Sequence, residues 1–407
     1  MTSTRLLLND PHAFMAWLAD GRRRGTLSLA DVDFAHVFAV AAAAALARHD
    51  GPEKTALEVA ASKASRFAHA IGIDELVAGQ VEREPTERER TVSLTRVKGR
   101  GPKEAISEKI VRLLLPDEQA NFEPRSLFKY VLVELLRNVG QHSNDPAGGV
   151  VAAQINSVGP YKDNPALQVV VVDNGIGIFE ALRHMRPSIQ TPDEALVRAL
   201  EPHVSGAFPE GESGAGENAG LGLFFVAEMA KLTDGKLFVA SRGATLFLDR
   251  SVDDKSQPVL TTGTEPDYPG TLIVFETAVA HVHDYDDIMT RIRDIAAQRV
   301  PRRITNRWLR FEEPPPDVQL IIIAVASEDT AEAQKFSAEV LEPRILKKTS
   351  VALDFRNIRV CTQSYVHALL HEAVRLAWAK KVPLYITNAS RAVRAQLELV
   401  ENYSLGG

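Results

Sequence analysis

The residues of this chain that are best suited to chemistry lie in three segments of its central part. The first is LQVVVVDNGIGI, Leu167 to Ile178. Its β-branched run predicts a buried strand, and Gly175 and Gly177 allow the backbone after it to bend tightly and approach a ligand. Asp173 therefore lies at a strand end. Because a carboxylate accepts a hydrogen bond from an amine and repels a phosphate, we assign Asp173 to a base, although the pattern alone also fits an ordinary strand-to-loop turn.

The second segment is SLFKYVLVELLRNVGQHS, residues 126–143, whose apolar residues recur at helical spacing. Glu134 and Asn138 are four residues apart and project side by side from another face, with His142 at its edge. Asn138 can give an oxygen to Mg²⁺, and Glu134 can accept a proton from the group that attacks a terminal phosphate. The alternative is a solvated helix face.

The third segment, Gly206 to Gly235, begins as a glycine- and acid-rich loop and becomes a helix near Gly220. A loop so rich in glycine is typical of a lid that a ligand orders. Gly220 and Gly222 would bring bare backbone N–H groups at the helix start against phosphates.

Together these segments resemble the motifs of the GHKL ATPases, the family of gyrase B, heat-shock chaperones, histidine kinases and MutL. Glu134 with Asn138 resembles the N box, DNGIGI the G1 box and ENAGLGL the G2 box, and Gly270-Thr271 resembles the late Gly-Thr pair. The resemblance implies Mg²⁺ and ATP as cofactors, with Glu134 as general base and Asn138 as magnesium ligand. Gln141 departs from the basic residue found in many histidine kinases. The nucleotide contacts that the resemblance implies are Asn138, His142, Asp173, Gly175, Gly177, Gly216, Gly220, Leu221, Gly222, Leu223 and Thr271.

Length and composition predict a cytoplasmic α/β protein of two or three domains. The 407 residues allow several cores, and the net charge of −6 gives no general attraction to nucleic acid or anionic membrane. A single cysteine, Cys361, excludes an internal disulfide and a cysteine-cluster metal site. We read no export signal or membrane anchor in the sequence.

Composition and pattern divide the chain into five regions. We predict a small α/β domain (1–82), a charged linker or edge (83–105), a GHKL domain (106–280), a helical and basic connector (281–316) and a C-terminal α/β domain (317–407). In the GHKL domain we expect a mixed sheet covered by helices. The arginines of the connector suggest phosphate contacts, but pairing with neighbouring acids is favoured, and nucleic-acid binding is not expected.

The C-terminal segment VALDFRNIRVCTQSYVHALL resembles STAS domains, the fold of bacterial anti-anti-sigma factors. In that family a serine at a helix start can be phosphorylated, and Ser364 falls at this place. Thr362 and Tyr365 stand where the family has aspartate and glycine, which favours a helix N-cap role for Ser364. The N-terminal region also resembles a divergent STAS-like module.

The resulting functional prediction is a regulatory ATPase whose nucleotide-dependent lid controls STAS-like modules or protein partners. The alternatives are an anti-sigma-factor-like serine/threonine kinase and a scaffold in which nucleotide binding is structural. The chain has no long heptad pattern that would support a coiled-coil homodimer, although many GHKL proteins are dimers.

Overall fold

The structure, a computed structural model, forms two compact units that are described separately. The first takes its residues from Met1–Leu200 and Gly222–Asp284, and the second from Glu201–Leu221 and Tyr285–Gly407. Both combine helices with β-sheet, which confirms the α/β class. The structure describes residues 4–51, 53–60, 62–79, 87–88, 90–98, 103–114, 125, 129, 132–133, 135–139, 143–158, 161–201, 204, 222–250, 259–262, 267–279, 291–292, 295, 308–324, 329–359 and 361–406.

Residues 4–79 form an N-terminal layer of helices and short parallel strand pairs. Strand β1 pairs with β3, and β2 pairs with β4. The Trp17 indole N–H donates to the Ser28 carbonyl oxygen at 3.2 Å, which ties the first helix to the strand after it. The elements are β1 (Thr4–Leu6), α1 (Pro11–Arg24), β2 (Thr26–Ser28), β3 (Val32–Ala35), α2 (Val37–Asp50), β4 (Ala56–Glu58), α3 (Lys63–Ala70) and α4 (Ile73–Val77).

An eight-stranded sheet forms the centre of the first unit. Its order is β11-β10-β9-β12-β8-β7-β6-β5, and all of its pairs are antiparallel. The predicted mixed sheet is therefore wrong, because β12 inserts between β8 and β9 in the direction opposite to both. The strands are β5 (Glu87–Arg88), β6 (Thr91–Val97), β7 (Gly149–Asn156), β8 (Ala166–Asp173), β9 (Lys236–Ser241), β10 (Ala244–Asp249), β11 (Val259–Thr262) and β12 (Thr271–Ala278).

The charged segment 83–105, predicted as a linker or edge, contributes the edge strand β5 and its neighbour β6. Val92 and Val97 are both buried although they are five residues apart, because a register shift between Val92 and Thr95 interrupts the alternation of β6. Part of the segment therefore belongs to the sheet of the first unit.

The other described helices of the first unit are α5 (Lys103–Leu114), α6 (Gly177–Met185), α7 (Pro192–Ala199) and α8 (Gly222–Leu232). Residues 132–133 and 135–139 are also helical and are called the Asn138 helix below. None of the helices in the described part is long and apolar enough to cross a membrane.

The N-terminal layer shares one hydrophobic core with the sheet. Residues 37–47 of α2 are all buried, and the helix packs on β7 and β8. Alanine leaves a helix surface nearly flat, which permits this close approach and agrees with the prediction that the alanines pack against a sheet. Val150, Val170, Val172 and Val274 enter the same core from one sheet face. The boundary predicted between 1–82 and the GHKL domain therefore does not separate two cores.

A buried polar network joins this layer to the opposite end of β8. Lys236 and Glu276 form an ion pair of 2.6 Å, and Gln168 donates to Glu276 at 3.0 Å. Burial lowers the pKa of His36 to about 4, and its neutral ring accepts a hydrogen bond from the Leu8 N–H. The Gln168 amide nitrogen lies 3.3 Å from His36 Nδ1, and this contact links the layer to the sheet.

The second unit contains a parallel four-stranded sheet in the order β13-β16-β15-β14. Alternation of strands and helices after residue 317 is confirmed. Strand β13 lies in the segment predicted as a connector, where Leu309 is buried and pairs with Leu384. The elements are β13 (Leu309–Arg310), β14 (Gln319–Ile322), α9 (Thr330–Phe336), a π-helical turn (Ser337–Leu341), α10 (Glu342–Leu346), β15 (Val351–Asp354), α11 (Gln363–Lys380), β16 (Leu384–Thr387) and α12 (Arg391–Gly406).

Candidate functional site

Asp173 is the last residue of β8 and lies directly opposite Thr271, the first residue of β12. Its side chain is buried, and Oδ1 accepts a hydrogen bond from the Gly175 N–H at 2.9 Å. The valine run before it is buried on both sheet faces, as expected for a central strand. Two predicted site residues that lie far apart in the sequence are thus neighbours in the sheet.

The Asp173 carboxyl has a strongly perturbed pKa. Burial, together with the negative charge of Asp145, raises this pKa from an ordinary value of 3.8 to about 7. The backbone N–H groups of Gly175 and Thr271, together with the Arg242 guanidinium, oppose the increase. A buried acid with these surroundings is a candidate for a binding site.

The loop after Asp173 is packed so closely that two positions require glycine. A Cβ atom on Gly175 would lie 1.8 Å from the Ser143 carbonyl oxygen, and one on Gly270 would lie 2.2 Å from the Asp173 carbonyl oxygen. Gly177, where φ is +77°, begins α6 in the left-handed region. The glycines predicted around Asp173 therefore have a steric reason to be there.

Two polar residues that we did not predict as site residues, Ser241 and Arg242, complete this corner. The Ser241 hydroxyl accepts a hydrogen bond from the Ile178 N–H at 2.9 Å and donates to the Gly270 carbonyl oxygen at 3.0 Å. Its Oγ lies 3.5 Å from the Thr271 hydroxyl oxygen. Arg242 donates to the carbonyl oxygens of Gly175 and Pro269, both at 2.7 Å.

The end of the Asn138 helix lies beside the same loop. A Cβ on Gly149 would lie 2.5 Å from a Val139 methyl group and 2.7 Å from the Val172 carbonyl oxygen. The Ile176 N–H donates to the Ser143 carbonyl oxygen at 2.8 Å. Asn138, which is half-buried, is therefore carried by a segment that contacts the strand end and the glycine loop.

Helix α8 supplies the remaining described residues of the prediction. It packs on β9 and β12, the strands that end or begin next to Asp173, and its first residues, Gly222 and Leu223, are buried. The predicted residues Glu134, Gln141, His142, Gly216, Gly220 and Leu221 lie outside the described residues.

A magnesium ion at this site would depend on few protein ligands. Within the described ranges no group of three His, Cys, Asp or Glu side chains is arranged to hold a metal. In nucleotide sites Mg²⁺ uses one or two protein oxygens together with phosphates and waters, so the single amide oxygen of Asn138 fits that requirement.

In the second unit, Ser364 does not have the position expected of it. Thr362 is the N-cap of α11, and its hydroxyl accepts a hydrogen bond from the Tyr365 N–H at 3.0 Å. The cap predicted at Ser364 therefore belongs to Thr362, because the helix begins two residues earlier. Ser364 is buried, so a kinase would reach it only after local opening.

No family model matches the chain, and no curated protein and no solved structure matches it either. The residues and their geometry therefore carry the functional inference. The arrangement unites a buried acid, a hydroxyl pair and a tightly packed glycine loop at one end of an antiparallel sheet.

Proposed function

We propose that the chain binds ATP in a GHKL-type pocket that contains Asp173. The observation that carries this proposal is the register of β8 and β12, which sets Thr271 opposite Asp173. In the GHKL pattern these two residues act on the same base, although they are distant in sequence. The proposal requires these two residues to be adjacent, and residues of two unrelated motifs would not be expected to be neighbours.

The surroundings of Asp173 support an amine ligand over a phosphate. Its carboxyl group lies near Asp145, and their mutual repulsion would add to that of an anionic ligand. An exocyclic amine of a purine is neutral and donates a hydrogen bond, so it can satisfy an acceptor at this buried position. The Thr271 hydroxyl, directly opposite on β12, offers a further donor and acceptor.

The phosphate end of the pocket would be formed by the other two segments. We propose that Asn138 gives an oxygen to Mg²⁺, which neutralises phosphate charge, and that Glu134 accepts the proton of an attacking water. The N–H groups of Gly222 and Leu223 at the start of α8 would contact the phosphates. Arg242 would hold the glycine loop in place.

The contacts of Asn174 suggest how occupancy reaches the rest of the first unit. Its side-chain amide donates to the Ala45 carbonyl oxygen on α2 at 3.0 Å, and its N–H donates to Asp145 Oδ2 at 2.9 Å. A nucleotide that shifts the loop would shift these bonds as well. We propose that this is the regulatory output toward the N-terminal layer, and that STAS-like modules or a protein partner read it.

The test is binding of a fluorescent ATP analogue with Mg²⁺ to the full chain. Asp173→Asn keeps the shape but replaces one acceptor oxygen by a donor, and we expect at least about a tenfold loss of affinity. Asp163→Asn, an exposed acid in the loop before β8, is the matched control and should bind as wild type does. Equal affinity of both variants would refute the pocket.

Hydrolysis is tested separately. Glu134→Ala should retain binding and lose turnover of ATP, and equal turnover would remove the assignment of the base. Radiolabelled γ-phosphate distinguishes the alternatives: label on protein indicates a kinase, free phosphate an ATPase, and binding without turnover a scaffold.

A further inference from the structure

The second unit has an open cavity at the carboxyl ends of β15 and β16. Its volume is about 640 Å³, within the range of small-molecule sites. Ligands of parallel α/β sheets bind in the crevice outside the carboxyl ends of the strands. The lining residues come from the two loops that follow these strands: Phe355, Arg356, Ile358, Arg359, Asn388, Ala389 and Ser390.

Asp354, the last residue of β15, lies beneath the rim of this cavity and positions two of its lining residues. It is fully buried, and Oδ1 accepts hydrogen bonds from the Arg356 N–H and the Asn388 side-chain amide, both at 2.9 Å. The Arg356 guanidinium donates to Oδ2 through Nε at 2.7 Å and also through Nη2. The bonds from Arg356 hold the pKa of Asp354 at about 2, so the carboxylate stays charged and orients both lining residues.

Arg356 is held in place without being covered. Its side chain is 51% exposed although it is paired with Asp354. A guanidinium has five N–H groups, and the bonds to Asp354 leave the others for a ligand. Such a fixed fork matches the oxygens of a carboxylate or phosphate and loses little entropy on binding.

The remaining walls favour an anion that carries an apolar group. Arg359 adds a second cation to the lining, and none of the lining residues is acidic. Ala389 is half-buried and, with the edge of Ile358, provides apolar surface above the fully buried Phe355. Ser390 donates to the Arg359 carbonyl oxygen and accepts from the Val393 N–H at 3.1 Å, at the start of the sixteen-residue helix α12.

We propose that this cavity is a binding site for a small phosphate monoester, with Arg356 and Arg359 contacting the phosphate and the apolar wall contacting its organic group. The helix start beside Ser390 favours phosphate over carboxylate, since its N–H groups and dipole attract the more highly charged anion. None of the residues that line this cavity is among those proposed to bind ATP, so the two proposals can be tested separately.

The experiment measures binding of phenyl phosphate, benzoate and inorganic phosphate to the full chain by isothermal titration calorimetry. We expect phenyl phosphate to bind more tightly than the other two probes. Arg356→Gln should weaken it by at least about tenfold, the value of one lost charge-assisted hydrogen bond. Arg375→Gln, an exposed arginine of α11, is the matched control and should bind as wild type does.

Several results would overturn the proposal. These are unchanged binding by Arg356→Gln, tighter binding of benzoate than of phenyl phosphate, and no binding of any probe by wild type. Because Arg356→Gln leaves Asp354 with fewer partners, Arg359→Gln serves as a second variant that keeps them. It should also weaken phenyl phosphate binding, and wild-type affinity in a folded Arg359→Gln protein would equally refute the site.

Discussion

At the scale of single residues, Asp173 combines a cost in stability with the binding role that we propose for it. Its pKa of about 7 in the folded protein exceeds the ordinary 3.8, so the folded state takes up a proton that the unfolded state does not bind between these values. The contribution of Asp173 to stability is therefore most favourable below pH 4 and is lost as the pH rises through 7. A buried charge at alkaline pH remains as a penalty.

We therefore expect Asp173→Asn to stabilise the ligand-free protein at pH 8, by about 1 kcal/mol or more, or roughly 2–4 °C in Tm. The Asn oxygen still accepts the Gly175 N–H bond. Thermal unfolding at pH 8 and pH 5 tests this, and the gain should shrink at pH 5, where Asp173 is protonated. A lower Tm than that of Asp163→Asn at pH 8 would contradict it.

Base binding should depend on the same ionisation. An amine donor prefers the charged carboxylate, so affinity for adenosine should fall as the pH decreases below about 7. Adenosine is the suitable ligand because it has no phosphate whose own ionisation would enter the result. Affinities measured between pH 5.5 and 8.5 test the expectation, and a flat profile would separate base binding from Asp173.

The sequence predicts the residues around Asp173 better than those that support them. Asp173, Gly175 and Thr271 follow from motifs that are local in sequence. Ser241 and Arg242 lack such a signal, because their contacts with the glycine loop exist only after β12 has brought the β9–β10 turn to the end of β8.

At the scale of elements, the turn between β9 and β10 acts as a clamp on the glycine loop. Arg242, whose φ is +23°, bonds the Gly175 and Pro269 carbonyl oxygens from this turn. We expect Arg242→Gln to loosen the loop and to weaken binding of the ATP analogue about tenfold, with Arg242→Lys intermediate because lysine lacks the guanidinium fork.

The control for this prediction is Arg183→Gln, which removes an exposed arginine of α6. It should bind the analogue with wild-type affinity. If Arg242→Gln also does so, the turn has no part in positioning the loop. A pH profile for adenosine that shifts to higher pH in Arg242→Gln would further connect Arg242 with the charge of Asp173.

The helices and strands differ in how clearly the sequence marks them. Helix α1 was not predicted, although Asp10 caps it, Pro11 occupies its first turn and Gly25 ends it in the left-handed conformation. Strand β6 lies among charged residues, and a register shift between Val92 and Thr95 interrupts its alternation, so the local pattern does not predict it. The antiparallel direction of β12 depends on long-range pairing that local patterns do not encode.

At the scale of the whole molecule, the N-terminal layer and the sheet of the first unit should unfold together, because they share one core. We expect amide hydrogens of α2 to exchange as slowly as those of β8, since both open only when that core opens. Hydrogen exchange followed by mass spectrometry tests this. Much faster exchange throughout α2 would mean that the layer opens independently.

This shared core was the feature of the molecule least accessible from sequence. Residues 1–82 have the alternation of a separate α/β domain, and the alanines of α2 correctly indicate close packing on a sheet. Which sheet they cover depends on contacts with β7 and β8, more than one hundred residues away along the chain. Amino-acid composition does not indicate which sheet the helix packs on.

The distribution of tryptophans gives the molecule an internal optical label for each unit. Of the three tryptophans, Trp17 lies in the N-terminal layer with its indole bonded to Ser28, whereas Trp308 and Trp378 belong to the second unit. Trp378 is 60% exposed, so its emission is already that of an indole in water. In a chain in which Trp308 and Trp378 are replaced by phenylalanine, the tryptophan emission would therefore come from the first unit alone. This emission would report on that unit without an added dye.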